Sequence, residues 1–301
     1  MVGIWDDCIE DKRMAALMRA AQADWAHQGG NRSVAKSSWM PRDATPRSPL
    51  EALALAVLRS HVTEGVDAVE GAEYWVQIRQ GKTVGLGLHF DKDERAHAES
   101  DEWRHPSLAT ATYLTDAGAP LVVFDTASSG EGAVERGWLV SPRRGRHVAF
   151  LGDRLHGVPG ELAPQDDTSQ RVSILVNLWD RQPAGVSRAA GGGTSEPFDV
   201  DDDLWNVGYD EDGDILAVCG AACRVPPERV RVDPGQSSQQ SASATLQLAP
   251  RSWNPSKMTT PHSAGLIYLA EHRDGDTGPI PLEAWRHVAE GPAAALELRY
   301  Y

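Results

Sequence analysis

The strongest local pattern in the chain lies at residues 84–91, which are Val84-Gly-Leu-Gly-Leu-His89-Phe-Asp91. Apolar side chains alternate here with glycine, histidine and aspartate. Alternation with a period of two over eight residues predicts a β-strand with one apolar and one polar face. Since successive side chains of a strand point to opposite faces, His89 and Asp91 share the polar face, and the two glycines leave open space beside them.

An imidazole and a carboxylate on one face can bind a metal ion, although a strand end with two solvated side chains has the same pattern. A second histidine downstream favours the metal hypothesis. His156 follows the apolar strand at 148–151 after a short polar segment. Asp93 is an alternative to Asp91, but only Asp91 shares the strand face of His89.

A third feature is the run Arg171-Val-Ser-Ile-Leu-Val-Asn-Leu-Trp179. Its alternation predicts a strand whose second face carries Arg171, Ser173 and Asn177. An arginine that is buried needs an anionic partner, and no neighbour on this face is acidic. A carboxylate of a bound ligand is therefore the candidate partner, and Ser173 adds a hydroxyl group on the same face.

The order His89-x-Asp91, then His156, then Arg171-x-Ser173 resembles the iron(II)- and 2-oxoglutarate-dependent oxygenases, and is most similar to the prolyl-4-hydroxylase-like branch. The resemblance covers Tyr74 to Trp179. It implies a mainly β fold with flanking helices (α+β), built on a double-stranded β-helix of the jelly-roll or cupin-like type. One departure is at Gly118-Ala-Pro-Leu, where that branch often has a Gly-Gly-Glu-Thr-like turn.

The resemblance also implies the site. Iron(II) is the expected metal and 2-oxoglutarate the expected cosubstrate. The metal and catalytic residues would be His89, Asp91 and His156, and the cosubstrate residues Arg171, Ser173 and one of two tyrosines, Tyr74 or Tyr113. His147 is the alternative to His156, but the family pattern places the ligand after the strand that ends near Phe150.

The chemistry requires these residue types. Two imidazoles and one carboxylate on one face of an octahedral iron(II) leave three adjacent positions for 2-oxoglutarate and oxygen. Arginine suits the distal carboxylate because its planar fork forms two charge-assisted hydrogen bonds. The implied function is hydroxylation of a C–H bond, with release of succinate and CO2. The substrate is open between a peptide, a sugar, a lipid and a small metabolite.

Two other classes of function remain open. One is a cupin-like metal enzyme that does not use 2-oxoglutarate, and the other is a β-barrel binding module without catalysis. Arg171 on a buried polar face argues against the first. The second has no need of aligned histidine and aspartate side chains.

The composition of the chain limits the kinds of molecule that we expect it to bind. The 301 residues carry a formal net charge of −14, which argues against binding to a nucleic-acid backbone. Three cysteines form no disulfide framework, and the sequence has neither an apolar run long enough to span a membrane nor an evident secretory signal. We expect a cytoplasmic protein without nucleic-acid or membrane partners.

The predicted organisation has four parts. Residues 1–70 form a helical support region, because apolar residues recur at helical spacing in 9–28 and Ser48-Pro-Leu-Glu51 is typical of a capped helix start. Residues 71–182 form the oxygenase core and 183–200 a glycine-rich linker. Residues 201–301 are an accessory region of unknown role, with a strand predicted at Ala295 to Tyr300.

Overall fold

The computed structural model of the chain describes residues 2–29, 36–62, 69–80, 85–128, 136–160, 163, 169–189, 223–224, 228–231 and 295–299. The helices are α1 (Asp11–His27), α2 (Pro49–His61) and α3 (Glu94–Ser100). The strands are β1 (Gly3–Asp6), β2 (Ser38–Pro41), β3 (Gly71–Gln80), β4 (Leu86–His89), β5 (Leu108–Tyr113), β6 (Leu121–Ala127), β7 (Arg136–Val140), β8 (His147–Leu151), β9 (Arg154–Val158), β10 (Gln170–Trp179), β11 (Cys223–Arg224), β12 (Glu228–Arg231) and β13 (Ala295–Arg299).

The strands form two sheets. A seven-stranded sheet has the order β11-β1-β8-β5-β10-β3-β2, and a six-stranded sheet has the order β12-β13-β7-β6-β9-β4. From β3 to β10 the chain passes back and forth between the sheets, giving β8-β5-β10-β3 opposite β7-β6-β9-β4. Every pairing within these two sets of four is antiparallel. This is the strand order of a double-stranded β-helix, so the predicted fold is confirmed.

The outer face of the seven-stranded sheet is covered by α1 and α2. Val172, Ile174 and Val176 of β10 are buried there, together with Leu17 of α1 and Leu53 of α2. The start of α2 is the one predicted, because the Ser48 hydroxyl accepts a hydrogen bond from the backbone N–H of Glu51. None of the helices that the structure describes is long and apolar enough to cross a membrane.

A second apolar cluster lies between the two sheets. It includes Tyr113 of β5, Phe124 of β6, Trp138 of β7 and Val148 of β8, all buried. Because β-strand side chains alternate, the residues of β3 and β10 that do not face the helices face this interior. Arg171, Ser173 and Asn177 are among them.

Strands from beyond residue 200 extend both sheets. β11 pairs with β1, β13 pairs with β7, and β12 lies parallel to β13. The strand expected at the end of the chain is present as β13. The region predicted to be accessory therefore supplies edge strands to both sheets. The limits predicted for the core, linker and accessory region stay predictions, and residues 190–222 lie outside the described part.

Candidate metal centre

The two histidines of the predicted triad lie side by side on neighbouring strands. His89 of β4 is directly opposite His156 of β9 in the antiparallel ladder, and their ring centroids are 4.3 Å apart. Residues directly opposite each other in such a ladder place their side chains on the same face. Strand register alone therefore brings together two imidazoles that are far apart in sequence.

Asp91 completes the group from just beyond the end of β4. Its Oδ1 is 3.5 Å from His89 Nε2, and its Oδ2 is 3.7 Å from His156 Nε2. One donor atom from each residue can be chosen so that all three lie within 4.8 Å of one another. The structure thus brings together all three residues that the sequence assigned to a metal.

The hydrogen bonds of the two rings set which nitrogen faces the centre. Nδ1 of His89 lies 2.8 Å from the carbonyl oxygen of Gly87, and Nδ1 of His156 lies 2.9 Å from that of Arg154. A carbonyl oxygen can only accept, so each Nδ1 donates. Both Nε2 atoms, which face Asp91, then carry the free lone pair that a metal needs.

Asn177 of β10 fixes the carboxylate. Its side-chain nitrogen donates to Asp91 Oδ2 at 3.0 Å, and the residue is almost fully buried. The alternation of β10 predicts Asn177 on the interior face, but no role for it follows from that pattern. Its partner is far away in the chain, so only the register of the folded sheets could have identified the contact.

Electrostatics favour the ligand forms of Asp91 and His156, whereas burial, which would lower the pKa of His89, is outweighed by its hydrogen bond with Asp91, so that this pKa is raised. Burial alone would raise the pKa of the Asp91 carboxyl, but His156, His89 and the amide of Asn177 together bring it well below its ordinary range. Burial lowers the pKa of His156 to about 4, in spite of the opposing effect of Asp91. An ionised carboxylate and a neutral imidazole are the forms that bind metals.

The donor set fits iron(II). Two imidazole nitrogens and one carboxylate oxygen, approaching from one side, leave further coordination positions open toward the interior, and this arrangement is typical of non-haem iron(II) oxygenases. A structural zinc site would more often be closed by four protein ligands. In the described part of the chain no fourth histidine, cysteine or acidic side chain joins the group.

Arg171 lies on the same interior face as Asn177, nearer the start of β10. It is buried, and its nearest polar contacts are at 3.5 Å, to Gln77 Oε1 and to the hydroxyl group of Tyr113. Its Nε has no hydrogen-bond partner, and no carboxylate of the described residues forms an ion pair with it. A buried guanidinium held only by long, neutral contacts is an anion-binding group.

Ser173 also has a buried polar atom without a hydrogen-bond partner. Its hydroxyl oxygen is buried and has no hydrogen-bond partner, and Ser173 lies directly opposite Tyr113 on β5 and Gln77 on β3. Buried hydroxyl groups without partners are uncommon, because the desolvation is uncompensated. Arg171, Ser173 and Tyr113, all predicted to bind the cosubstrate, therefore lie together.

Two further residues shape this end of the interior. Arg79 lies directly opposite Arg171, and burial, followed by the charge of Arg171, lowers its pKa to about 10. Gly118 has a φ of +97°, and a Cβ there would lie 2.7 Å from Cβ of Arg171. A side chain at 118 would be strained and would displace the arginine stem, so this glycine in the departing Gly-Ala-Pro-Leu turn leaves room for Arg171.

Tyr74, the other tyrosine proposed for the cosubstrate, is placed elsewhere. It is buried on the outer face of β3 with Val76 and the residues of α1 and α2, whereas Gln77 faces the interior. Burial raises the pKa of its hydroxyl group. Because side chains alternate along β3, Tyr74 points away from the interior, and it is not among the residues of the proposed site.

The two alternative ligands also have other partners. His147 faces α2, where its Nε2 lies 2.9 Å from Nε2 of His61 and its Nδ1 lies 2.8 Å from the hydroxyl of Thr112. Asp93 caps α3, a helix that the sequence did not predict, and forms an ion pair with Arg104. Neither belongs to the triad.

Several solved structures are similar to this chain. A prolyl-4-hydroxylase from Pseudomonas putida has 16% sequence identity and a TM-score of 0.42, over 60% of this chain and 93% of that one. The alpha-ketoglutarate-dependent epimerase SnoN from nogalamycin biosynthesis has 15% identity and a TM-score of 0.39, over 66% and 91%. HygX from Streptomyces hygroscopicus, with nickel and 2-oxoglutarate bound, has 12% identity and a TM-score of 0.37, over 62% and 84%.

These structures belong to the family that the order of the sequence motifs resembles. The similarity is structural and distant, and no family model and no curated protein sequence matches the chain. The strand order and the donor set of the chain itself therefore carry the functional argument.

Proposed function

We propose that the protein is an iron(II)- and 2-oxoglutarate-dependent dioxygenase that hydroxylates a C–H bond of its substrate, with release of succinate and CO2. The observation that carries the proposal is the coexistence of two sites on one interior. A three-residue metal centre is open on one side, and on the same interior Arg171 and Ser173 have polar atoms without protein partners. A metal enzyme without an acidic cosubstrate has no use for the second site.

His89, Asp91 and His156 would hold iron(II), and Asn177 would orient the carboxylate by its hydrogen bond. When bound, iron(II) would activate O2, which is the oxidant, and 2-oxoglutarate would supply the other two electrons as it is converted to succinate and CO2. The carbonyls of Gly87 and Arg154 keep both histidines in the tautomer that presents Nε2. The ligand set is thus oriented before the metal arrives.

The cosubstrate would lie between the metal and Arg171. The guanidinium would bind the distal carboxylate of 2-oxoglutarate by two parallel charge-assisted hydrogen bonds, and the Ser173 hydroxyl would donate a third. The Tyr113 hydroxyl, which lies 3.5 Å from Nη2 of Arg171, would contact the same carboxylate. The apolar cluster between the sheets, which includes Phe124 and Val148, keeps water from this end.

An anaerobic titration tests the proposal. The full chain is first loaded with iron(II), and 2-oxoglutarate is then added while the visible absorption is recorded. We expect a weak charge-transfer band that saturates with 2-oxoglutarate and does not form with succinate, which lacks the keto group. Iron binding without the band would support a metal enzyme that does not use 2-oxoglutarate. Absence of iron binding would leave only a binding module.

A further inference from the structure

The interior face of β3 carries an acidic residue, Glu73, at the level of the metal centre and six residues along the strand from Arg79. Glu73 lies directly opposite Asn177, whose amide holds Asp91. Arg79, on the same face of β3, lies directly opposite Arg171 at the other end of the strand pair. The strand pair is thus basic at the end of Arg171 and Arg79 and acidic at the level of the metal centre, where Glu73 lies.

The carboxylate of Glu73 has only neutral partners. Its Oε2 accepts a hydrogen bond from Nε1 of Trp179 at 3.0 Å, and the side chain of Ser37 bonds to it as well. No basic side chain in the described parts of the chain forms an ion pair with it. Burial first, and then the charges of Asp91 and Asp93, raise its pKa to about 7.

An aromatic surface lies beside this carboxylate. Trp75 is two residues from Glu73, on the same strand face and about 7 Å along β3. Trp75 and Leu175, which is directly opposite it on β10, are both partly exposed and belong to neither apolar cluster. Ala111 lies directly opposite Leu175 on the other side. Strand alternation places all three side chains on the interior face, where Trp75 and Leu175 are the accessible ones.

We propose that Glu73 and Trp75 bind a protonated amine of the substrate, an inference that rests on the proposed function. A carboxylate without a counter-ion and the face of an indole are the two protein groups that attract an ammonium ion most strongly. In the proposed function Asp91 and one carboxylate of 2-oxoglutarate would balance the two positive charges of iron(II), so neither would be needed from Glu73. An ammonium ion bound beside Glu73 would lower the pKa of its carboxyl group and keep it ionised.

The charge of the whole chain agrees with a cationic substrate. A formal net charge of −14 raises the local concentration of cations and lowers that of anions. A substrate that is itself an acid would have to bring its charge near Glu73, Asp91 and Asp93. The amine can be a small molecule or the side chain of a peptide lysine, because both present the same ammonium group.

Matched probes test the inference. n-Butylammonium and its neutral isostere n-butanol are titrated into the full chain loaded with iron(II) and 2-oxoglutarate without oxygen, with tryptophan fluorescence as the readout. We expect the wild-type chain to prefer the cation by at least tenfold. A capped lysine peptide and its ε-acetylated form give the same comparison, and the tighter of the two cations identifies the source of the amine.

The decisive variant is Glu73→Gln, whose side-chain oxygen can still accept from Trp179. We expect its preference for the cation to fall to about one, while n-butanol binds as in the wild type. The matched control is Glu99→Gln, which removes the same charge from an exposed position on α3 and should retain the preference. Equal weakening of both probes would mean that Glu73 only supports Trp179, and would overturn the inference.

Two failures are distinguishable. A wild-type chain that forms the 2-oxoglutarate band but binds both butyl probes equally overturns the amine site and leaves the proposed function standing. A chain without the band overturns the proposed function. In that case the same titration on the metal-free chain, with Glu73→Gln beside it, still measures whether the carboxylate selects a cation.

Discussion

Arg146 and Arg171 are both almost fully buried, yet their surroundings differ. Arg146 forms two hydrogen bonds with Asp6, from Nε at 2.6 Å and from Nη2 at 2.9 Å, and a third with the carbonyl of Ser141. Arg171 has two neutral contacts at 3.5 Å and an Nε without a partner. The first arginine is satisfied by the protein, and the second keeps donor groups that the proposed function assigns to 2-oxoglutarate.

Two pairs of histidines show the same difference. His61 and His147 bond to each other through Nε2, and Thr112 satisfies the remaining Nδ1 of His147. His89 and His156 instead use Nδ1 for backbone carbonyls and point both Nε2 atoms at Asp91. In each comparison one group is hydrogen-bonded to other protein side chains, and the group that we propose for binding directs donor or acceptor atoms at the proposed site.

The largest effect is expected at the triad. His89→Ala or Asp91→Ala removes one of the three proposed ligands and should abolish iron-dependent hydroxylation. Loss of a residue that only supports a ligand weakens metal binding by at most about 100-fold, so loss of a ligand itself should weaken iron(II) binding by more than that. His147→Ala is the control, since it should lower the free energy of unfolding while the folded chain binds iron normally. Calorimetric iron titration and urea unfolding measure both. Normal turnover in Asp91→Ala would refute the triad.

The second effect separates the two arginines. Arg171→Ala should leave iron binding intact and weaken 2-oxoglutarate by at least about tenfold, because losing one partner of a buried charge pair costs about 2–5 kcal/mol. Arg146→Ala leaves the buried Asp6 with the half-exposed Arg143 as its charged partner, so the free energy of unfolding should fall, but by less than the about 3–5 kcal/mol of a fully unpaired buried charge. Its cosubstrate affinity should be that of the wild type. If Arg171→Ala bound 2-oxoglutarate as tightly as the wild type, Arg79 would be the residue that binds the distal carboxylate.

The third effect concerns Asn177. Asn177→Leu keeps the branched shape of the side chain but removes the donor to Asp91, and we expect iron(II) affinity to fall by about 10- to 100-fold. The matched variant Thr110→Val removes a buried hydroxyl that donates to the carbonyl of Val176 at 2.8 Å, and should leave iron binding unchanged. Competition with a chromogenic chelator gives both affinities. Equal affinities for the two variants would make Asn177 a structural residue only.

A fourth effect is a pH dependence of stability. Burial lowers the pKa of His61 to about 4 and that of His147 well below its ordinary value, so both stay neutral when the unfolded chain takes up protons below about pH 6.5. Stability is then fully present above pH 6.5 and falls as the pH drops toward 4, by about 1.4 kcal/mol per pH unit for each histidine. In His61→Gln the free energy of unfolding should fall less steeply with pH, by the contribution of one histidine. Urea unfolding at pH 7.5, 6.5 and 5.5 measures this slope. An unchanged slope would mean that His61 titrates normally.

The smallest effect is expected at Ser173. Ser173→Ala removes a hydroxyl without a partner, so the free energy of unfolding should stay the same or rise slightly. The affinity for 2-oxoglutarate should fall about three- to tenfold, corresponding to one hydrogen bond of about 1 kcal/mol. Isothermal titration with 2-oxoglutarate measures the change. A loss of stability without a change of affinity would place the hydroxyl among the internally satisfied groups.

Much of the site could be predicted from alternation. His89 and Asp91 share a strand face two residues apart, and Arg171 and Ser173 do so on another strand, so local periodicity was enough to group each pair. The same alternation places Tyr74 with Val76 and Ile78, on the face that packs against the helices. Its assignment to the cosubstrate came from the resemblance and not from this pattern.

Contacts between distant residues could not be predicted. Asn177 meets Asp91, and Asp6 meets Arg146, across separations that depend on the register of folded sheets. Helix α3 was missed because its residues, Glu94 to Ser100, carry no apolar stripe, and none of them is buried. Its start is fixed instead by the Asp93 carboxylate, which a purely periodic analysis overlooks.

The pairing of β13 with β7 affects how the protein folds during its synthesis on the ribosome. β7 is complete at Val140, but the strand that covers its edge begins only at Ala295. Translation proceeds at about 5–20 residues per second, so this edge is uncovered for several seconds or more in every newly made chain. An uncovered edge can pair with another nascent chain. Slow synthesis or crowded polysomes should therefore reduce the yield of native protein more than the stability of the finished fold suggests.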